Sequence, residues 1–244
     1  MGKYILFKVA FYTLGRLPTP LLYRLIEPVT DLIYLLSPRL RSNVSHNMRQ
    51  VLGLEASPAR IRKESRKVFL NVAKYYIDLI RLPRTDLQDF FQCRLEYHGF
   101  EENLLPALRS GRGVILASTH YGNPELAIQA CLCKGIKVFA LTEPIQPEQL
   151  ARMLNRLRSF HGLVFVPVSV SSVRQVMRRL NSGEVVALMC DRDIMGPKSL
   201  LPFMGAETDM PTGPIELAMR TNSIMLPVFA RRKNGDKMEV FLEE

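Results

Sequence analysis

The second half of the chain alternates between short apolar runs and longer segments of helical character. Five runs rich in Val, Ile and Leu are GVILAS (113–118), IKVFAL (136–141), LVFVPV (163–168), VVALMC (185–190) and IMLPVFA (224–230). Runs of this length and composition are typical of buried strands. The segments 124–134, 147–160 and 170–182 between them predict helices. This alternation favours βαβ units, so we predict an α/β fold with a central, mostly parallel sheet flanked by helices.

The chain before residue 94 is predicted to be helical throughout. In 57–82, Ser57 and Pro58 are typical of a helix start, and apolar residues then recur at helical spacing. Residues 1–40 are more apolar, yet charges and prolines interrupt them before the ~18 uncharged residues of a spanning helix accumulate. We therefore expect 1–40 to form short helices lying on a membrane surface, ahead of an α/β domain over 41–244. The alternative is a helical cap packed on that domain.

Two features of the first 40 residues favour the membrane surface. Their basic residues would meet anionic headgroups. Their aromatic residues suit the headgroup boundary, where a ring buries its body and keeps its polar tip wet. These aromatic residues are Tyr4, Phe7, Phe11, Tyr12, Tyr23 and Tyr34.

Composition limits the classes of partner. The hydrophobic content of 47% excludes a mostly disordered chain, and the net charge of +10 favours a polyanion: nucleic acid, acidic lipid or an acidic carrier protein. Nucleic acid is disfavoured, because the chain carries no recognisable nucleic-acid-binding module and its basic residues are spread through the helical half. The four cysteines lack the Cys-x-x-Cys spacing of a zinc site, and we expect them to be reduced.

Ionisable groups follow the predicted strands. His120 comes directly after the first run, Glu143 after the second, and Asp191, Arg192 and Asp193 after the fourth. Ligands of open parallel sheets bind beyond the carboxyl ends of the strands. These side chains are therefore candidates for one site at that edge of the sheet.

His120 is the candidate catalytic residue. Asn123 can cap a helix that begins at Pro124, which places Glu125 in its first turn. A Glu125 carboxylate on one ring nitrogen would fix the tautomer of His120 and raise the basicity of the other nitrogen, giving a general base. The alternative is a capping or core histidine. Since a third metal ligand is not evident and the Gly-x-Ser-x-Gly, phosphate-loop and dinucleotide patterns are absent, we predict no metal and no cofactor.

The motif HYGNPE (120–125) is similar to the His-x4-Asp/Glu motif of glycerolipid acyltransferases. Four further segments resemble the bacterial branch that acylates lipid A and phosphatidylinositol mannosides: RSNVSHNMRQVLG (41–53), LNRLRSFHG (154–162), LMCDRDI (188–194) and LPFMGAETDMPTGPIELAMRTNSIMLPVF (201–229). Together they cover most of the chain. Two departures are Asp-Arg-Asp in place of the more usual Asp-Gln-Asp, and an end at MEVFLEE, where that family usually continues, which is consistent with a C-terminal truncation.

The resemblance implies transfer of a fatty acyl group from an acyl carrier protein or coenzyme A thioester to a hydroxyl of a membrane glycolipid or phospholipid. The acceptor would be of the lipid A or phosphatidylinositol mannoside type, and the enzyme peripheral or monotopic on the cytoplasmic face of the inner membrane. A catalytically silent lipid-binding protein is the alternative, against which an intact His120 and Glu125 argue.

The same resemblance implies roles around the general base. Glu143 would hold the acceptor or an arginine, and Arg158 would bind a phosphate or carrier unless it belongs to a solvated helix face. Backbone N–H groups near Asn123, or Arg158 or Arg192, would stabilise the oxyanion. Asp191 and Asp193 are expected to fix the site loop rather than to transfer protons.

Overall fold

A computed structural model describes residues 2–192, 196–233 and 235–244. Its strands are β1 (Leu95–His98), β2 (Val114–Ser118), β3 (Val138–Thr142), β4 (Val164–Pro167), β5 (Val185–Met189), β6 (Lys198–Phe203), β7 (Ala206–Pro211), β8 (Ile224–Arg232) and β9 (Met238–Leu242). All five strands predicted from the sequence are present, as β2, β3, β4, β5 and β8.

Seven strands form one sheet in the order β1-β9-β8-β2-β5-β3-β4, and β6 and β7 form a separate hairpin. Neighbouring strands from β8 to β4 are parallel, whereas β9 runs antiparallel to β8 and parallel to β1. The predicted α/β architecture with a mostly parallel central sheet is confirmed.

Helices flank this sheet. They are α1 (Gly2–Thr13), α2 (Thr19–Leu36), α3 (Pro38–Leu52), α4 (Pro58–Arg81), α5 (Leu87–Cys93), α6 (Leu105–Arg109), α7 (Pro124–Gln129), α8 (Glu148–Arg158), α9 (Val170–Asn181) and α10 (Gly213–Thr221). The predicted helix at 124–134 is α7 followed by a 3₁₀ turn, and the helices predicted at 147–160 and 170–182 are α8 and α9. The Ser57 hydroxyl caps α4 by accepting from the N–H of Arg60.

Both faces of the sheet are buried, which is why its central strands are continuously apolar. Along β2, Val114 and Leu116 belong to the larger core cluster. Ile115 packs on the opposite face with Val176 and Leu180 of α9.

The N-terminal helices pack on the body of the protein. Leu22 and Tyr23 of α2 form a buried cluster with Ile77 of α4. Tyr23 and Tyr34 are both 6% exposed, so the expectation that these two rings lie at a headgroup boundary is wrong: they face the protein interior. Among the described residues, no helix is both long and apolar enough to span a bilayer.

The outer face of α2 is apolar instead. Its exposed aliphatic residues recur three or four positions apart, which places them on one side of the helix. They are Leu21, Leu25, Val29, Leu32 and Leu36, named here the α2 stripe.

Candidate active site

Strand register brings a histidine and an aspartate together. Ser118 at the end of β2 pairs with Met189 at the end of β5, so the residues two positions further on, His120 and Asp191, leave the same edge of the sheet. His120 Nδ1 lies 2.9 Å from Asp191 Oδ1, and the His120 backbone N–H donates to Asp191 Oδ2 at 2.9 Å. The carboxylate on the ring is therefore Asp191, where the sequence predicted Glu125.

This contact sets the electrostatics of the pair. The hydrogen bond with Asp191 raises the pKa of His120 above its ordinary value, although burial opposes the shift. Burial would raise the pKa of Asp191, but hydrogen bonds from the ring and backbone of His120 outweigh it and hold that pKa below its usual value. A neutral ring that donates from Nδ1 to Asp191 leaves Nε2 as an acceptor. Because the His120 side chain is 47% exposed, a substrate can reach it.

The loop between His120 and α7 is fixed by backbone approach. Gly122 has φ = +68°, and a Cβ there would lie 1.8 Å from the carbonyl oxygen of Ala230 on β8. Only glycine fits both constraints. Asn123 is 2% exposed, and its Oδ1 accepts from the N–H of Leu126 at 3.0 Å. The helix cap predicted at Asn123 is confirmed.

Glu125 lies in the first turn of α7, as predicted, but its partner is Arg158. Arg158 Nε donates to Glu125 Oε2 at 2.9 Å, and Arg158 Nη2 donates to the Tyr75 hydroxyl at 3.0 Å. Burial and then the Glu125 charge raise the pKa of Tyr75, which keeps the phenol protonated. This triad joins α7, α8 and α4, so the predicted contact of Glu125 with the imidazole is replaced by a contact between helices.

Arg158 is neither an open anion site nor part of a solvated helix face. Its side chain is 9% exposed. Glu125 and Tyr75 occupy its guanidinium, and Asn155 Oδ1 accepts a further bond from Nη1 at 3.3 Å. Sequence spacing indicated a charged residue on α8 here, but it could not show that the helix turns this residue inward.

A second ion pair lies at the same edge of the sheet. Arg192 Nη1 is 2.9 Å from Glu143 Oε1, and the Arg192 side chain is 61% exposed. Of the two roles predicted for Glu143, this contact matches the holding of an arginine. Asp193 lies outside the residues that the structure describes.

One group of potential metal ligands occurs among the described residues, away from His120. It consists of Glu96, His98 and Glu239 on β1 and β9. Lys233 bonds to both carboxylates, at 2.9 and 2.6 Å, and Arg231 also pairs with Glu239. These cations already neutralise the acidic groups, so the cluster is accounted for as an ion-pair network.

Comparison with known proteins agrees with this geometry. Residues 2–242 match the sequence model of the bacterial lipid A biosynthesis acyltransferases. The chain belongs to this family. The match extends over nearly the whole chain, including the N-terminal helices and both halves of the sheet.

Curated relatives of this family member carry one name. The phosphatidylinositol mannoside acyltransferase of Mycobacterium tuberculosis (strain CDC 1551 / Oshkosh) is 28% identical over 157 residues, which are 63% of this chain and 50% of the relative. The protein of that name from Mycolicibacterium smegmatis (strain ATCC 700084 / mc(2)155) is 29% identical over 160 residues, 64% of this chain and 52% of the relative. The matched region spans about half the length of these relatives. The resemblance to the branch that includes these enzymes is confirmed.

Proposed function

We propose that this family member is an O-acyltransferase that moves a fatty acyl chain from a thioester to a hydroxyl of a membrane glycolipid or phospholipid. The donor is an acyl carrier protein or coenzyme A thioester, and the acceptor is of the lipid A or phosphatidylinositol mannoside type. The observation that carries this proposal is the hydrogen-bonded His120–Asp191 pair at the carboxyl edge of the sheet, with its ring half-exposed.

The pair supplies a general base. His120 Nε2 takes the proton of the acceptor hydroxyl as its oxygen attacks the thioester carbonyl carbon, and Asp191 stabilises the imidazolium that forms. The tetrahedral oxyanion then collapses, the carbon–sulfur bond breaks, and the imidazolium returns the proton to the thiolate. The products are an ester and a free thiol, with no covalent enzyme intermediate.

The surrounding ion pairs take separate roles in this scheme. Arg192 is exposed beside the base and held by Glu143, which suits it to stabilise the oxyanion or a substrate phosphate. Arg158 is occupied by Glu125 and Tyr75, so we assign it and Glu125 to positioning α7 against α8. The substrate-binding role considered for Arg158 passes to Arg192.

The α2 stripe supports docking on a membrane. Five exposed aliphatic side chains on one face of α2 suit the acyl region, and cations such as Arg24 suit anionic headgroups, each adding about 1 kcal/mol. We propose that the segment 1–40 lies on the cytoplasmic face of the inner membrane without crossing it. The lipid acceptor then reaches His120 from the bilayer and the thioester from the cytosol.

The test is acyl transfer by His120→Ala. Purified protein is incubated with labelled acyl-carrier-protein and coenzyme A donors and a lipid extract, and products are identified by mass spectrometry. Loss of a general base lowers turnover by about 10²–10⁴-fold. The matched control is His46→Ala, which changes an exposed histidine of α3 and leaves turnover unchanged.

Two results would oppose the proposal. Activity of His120→Ala within a few-fold of the parent would remove the general base from the mechanism. Vesicle binding by the parent without acyl transfer from either donor would instead favour the catalytically silent lipid-binding protein.

A further inference from the structure

A buried carboxylate outside the catalytic pair contacts three separate parts of the chain. Asp78 of α4 is 7% exposed. Asn123 Nδ2 donates to its Oδ2 at 2.8 Å, Arg232 Nη2 at the end of β8 donates to the same oxygen at 2.6 Å, and the Tyr23 hydroxyl donates to Oδ1. One side chain thus ties α2, the catalytic loop and β8 together.

The charges around this carboxylate keep its partners in fixed roles. Burial and then the Asp78 charge raise the pKa of Tyr23, so its hydroxyl remains a donor. Lys74 Nζ lies 5.0 Å from the centre of the Tyr23 ring. A buried ion pair such as Asp78–Arg232 contributes little net stability, because desolvation offsets the attraction of its charges. Its geometric effect on the loop is therefore the more informative property.

That effect falls on the amide of Asn123. With Nδ2 bound to Asp78, Oδ1 faces the N–H of Leu126 and caps α7. An amide held on both sides cannot rotate without losing two buried hydrogen bonds. Asn123 lies three residues after His120 and two before Glu125, so its position constrains both.

We propose that Asp78 is a positioning residue for acyl transfer, which holds the catalytic loop through Asn123, and that Tyr23 makes this arrangement dependent on α2. The proposal rests on the proposed function for its kinetic consequence only. The helix that carries the exposed α2 stripe thereby contributes to the order of the active-site loop, and its placement on a membrane affects catalysis as well as docking.

The first test compares Tyr23→Phe with Tyr34→Phe. Both remove one hydroxyl from a buried ring of α2, but the hydroxyl of Tyr34 has no contact with Asp78 among the described residues. Tyr23→Phe should lower kcat by about three- to tenfold, the equivalent of one hydrogen bond, with little change in KM. It should also move the pKa of His120, measured by NMR, down towards its ordinary value. Tyr34→Phe should do neither.

The second test exchanges donor and acceptor between the two positions. Asn123→Asp places two carboxylates face to face, and at about pH 8.5 kcat should fall about tenfold or more. The double variant Asp78→Asn/Asn123→Asp restores one donor and one acceptor and should recover most of that loss.

The outcomes separate the two proposals. If Tyr23→Phe folds and leaves both kcat and the pKa of His120 unchanged, or if the double variant folds without recovering activity, the positioning role is refuted. If the parent shows no acyl transfer, the proposed function fails, whereas the NMR comparison still decides whether Tyr23 and Asp78 position His120.

Discussion

Ser118 of β2 and Met189 of β5 are register partners, and this pairing decides which carboxylate His120 meets. Two residues beyond each partner, His120 and Asp191 share two hydrogen bonds although 71 positions separate them in the chain. Glu125 is much nearer in sequence, but α7 directs it towards Arg158 on α8. The catalytic base and its partner are thus positioned by the sheet, and the helices hold the loop between them.

Asp191→Asn should change the pH profile in a defined direction. The hydrogen bond with Asp191 raises the pKa of His120, and the ring acts as a base only above that pKa. Removing the charge lowers this pKa, so the acidic limb of kcat/KM should move to lower pH while the plateau falls about 10²–10⁴-fold.

The measurement is kcat/KM against pH for the parent, Asp191→Asn and the control Asp209→Asn, which alters an exposed carboxylate of the β6–β7 hairpin. The control should follow the parent. An acidic limb that stays in place in Asp191→Asn would show that this carboxylate does not set the pKa of His120.

Glu125→Gln should lower both stability and turnover. It leaves the buried Arg158 cation without its counter-charge, although the amide can still accept a hydrogen bond, so the free energy of unfolding should fall by about 2–3 kcal/mol. Turnover should fall with little change in KM, because Glu125 positions α7 rather than binding substrate. Urea unfolding and steady-state kinetics measure the two effects.

A suitable control is Glu184→Gln, which breaks an exposed ion pair with Arg179 and should change stability little. If Glu125→Gln raised KM and left kcat alone, Glu125 would have to be regarded as a binding residue.

Gly122→Ala should be far more harmful than Gly111→Ala. Both glycines have positive φ, at +68° and +72°, so both variants carry the left-handed strain of about 1–2 kcal/mol. Only at Gly122 would the new Cβ meet a backbone oxygen, that of Ala230; at Gly111 no atom lies within 4 Å. Thermal unfolding and kcat should separate the pair, and equal losses would show that the approach to Ala230 is unimportant.

Much of the fold could be predicted because its central strands are buried on both faces and therefore read as continuous apolar runs. The β6–β7 hairpin could not: every residue of β6 is exposed, so the sequence gives no alternation between buried and exposed positions. Short edge strands such as β1, with four residues, lack enough length for a pattern.

The site was predicted in part for a similar reason. Strand ends indicated the edge where His120, Glu143, Asp191 and Arg192 gather, and Asn-Pro indicated the cap of α7. The partner of each side chain depends on register between strands and on packing between helices that are distant in the chain. Local spacing therefore favoured Glu125 over Asp191, and it gave no sign that Arg158 is buried.

The α2 stripe should control binding to anionic membranes. The variant Leu25→Gln/Val29→Gln/Leu32→Gln replaces three exposed aliphatic side chains and should release the protein from anionic vesicles in a sedimentation assay. It should also depress transfer to a membrane-embedded acceptor more than thioester hydrolysis in detergent. Deleting 1–36 is a poorer test, because it would remove Leu22 and Tyr23 from their buried contact with Ile77 and so unfold the body.

The matched control for this stripe is Leu54→Gln/Val170→Gln/Met219→Gln, which replaces three exposed apolar residues in other parts of the chain. It removes a similar amount of exposed apolar surface without touching α2, so it should bind vesicles as the parent does. Because apolar insertion and headgroup attraction both contribute, raising the salt concentration should weaken the parent only in part. If the α2 variant bound as tightly as the parent while the control did not, the docking surface would lie elsewhere on the protein.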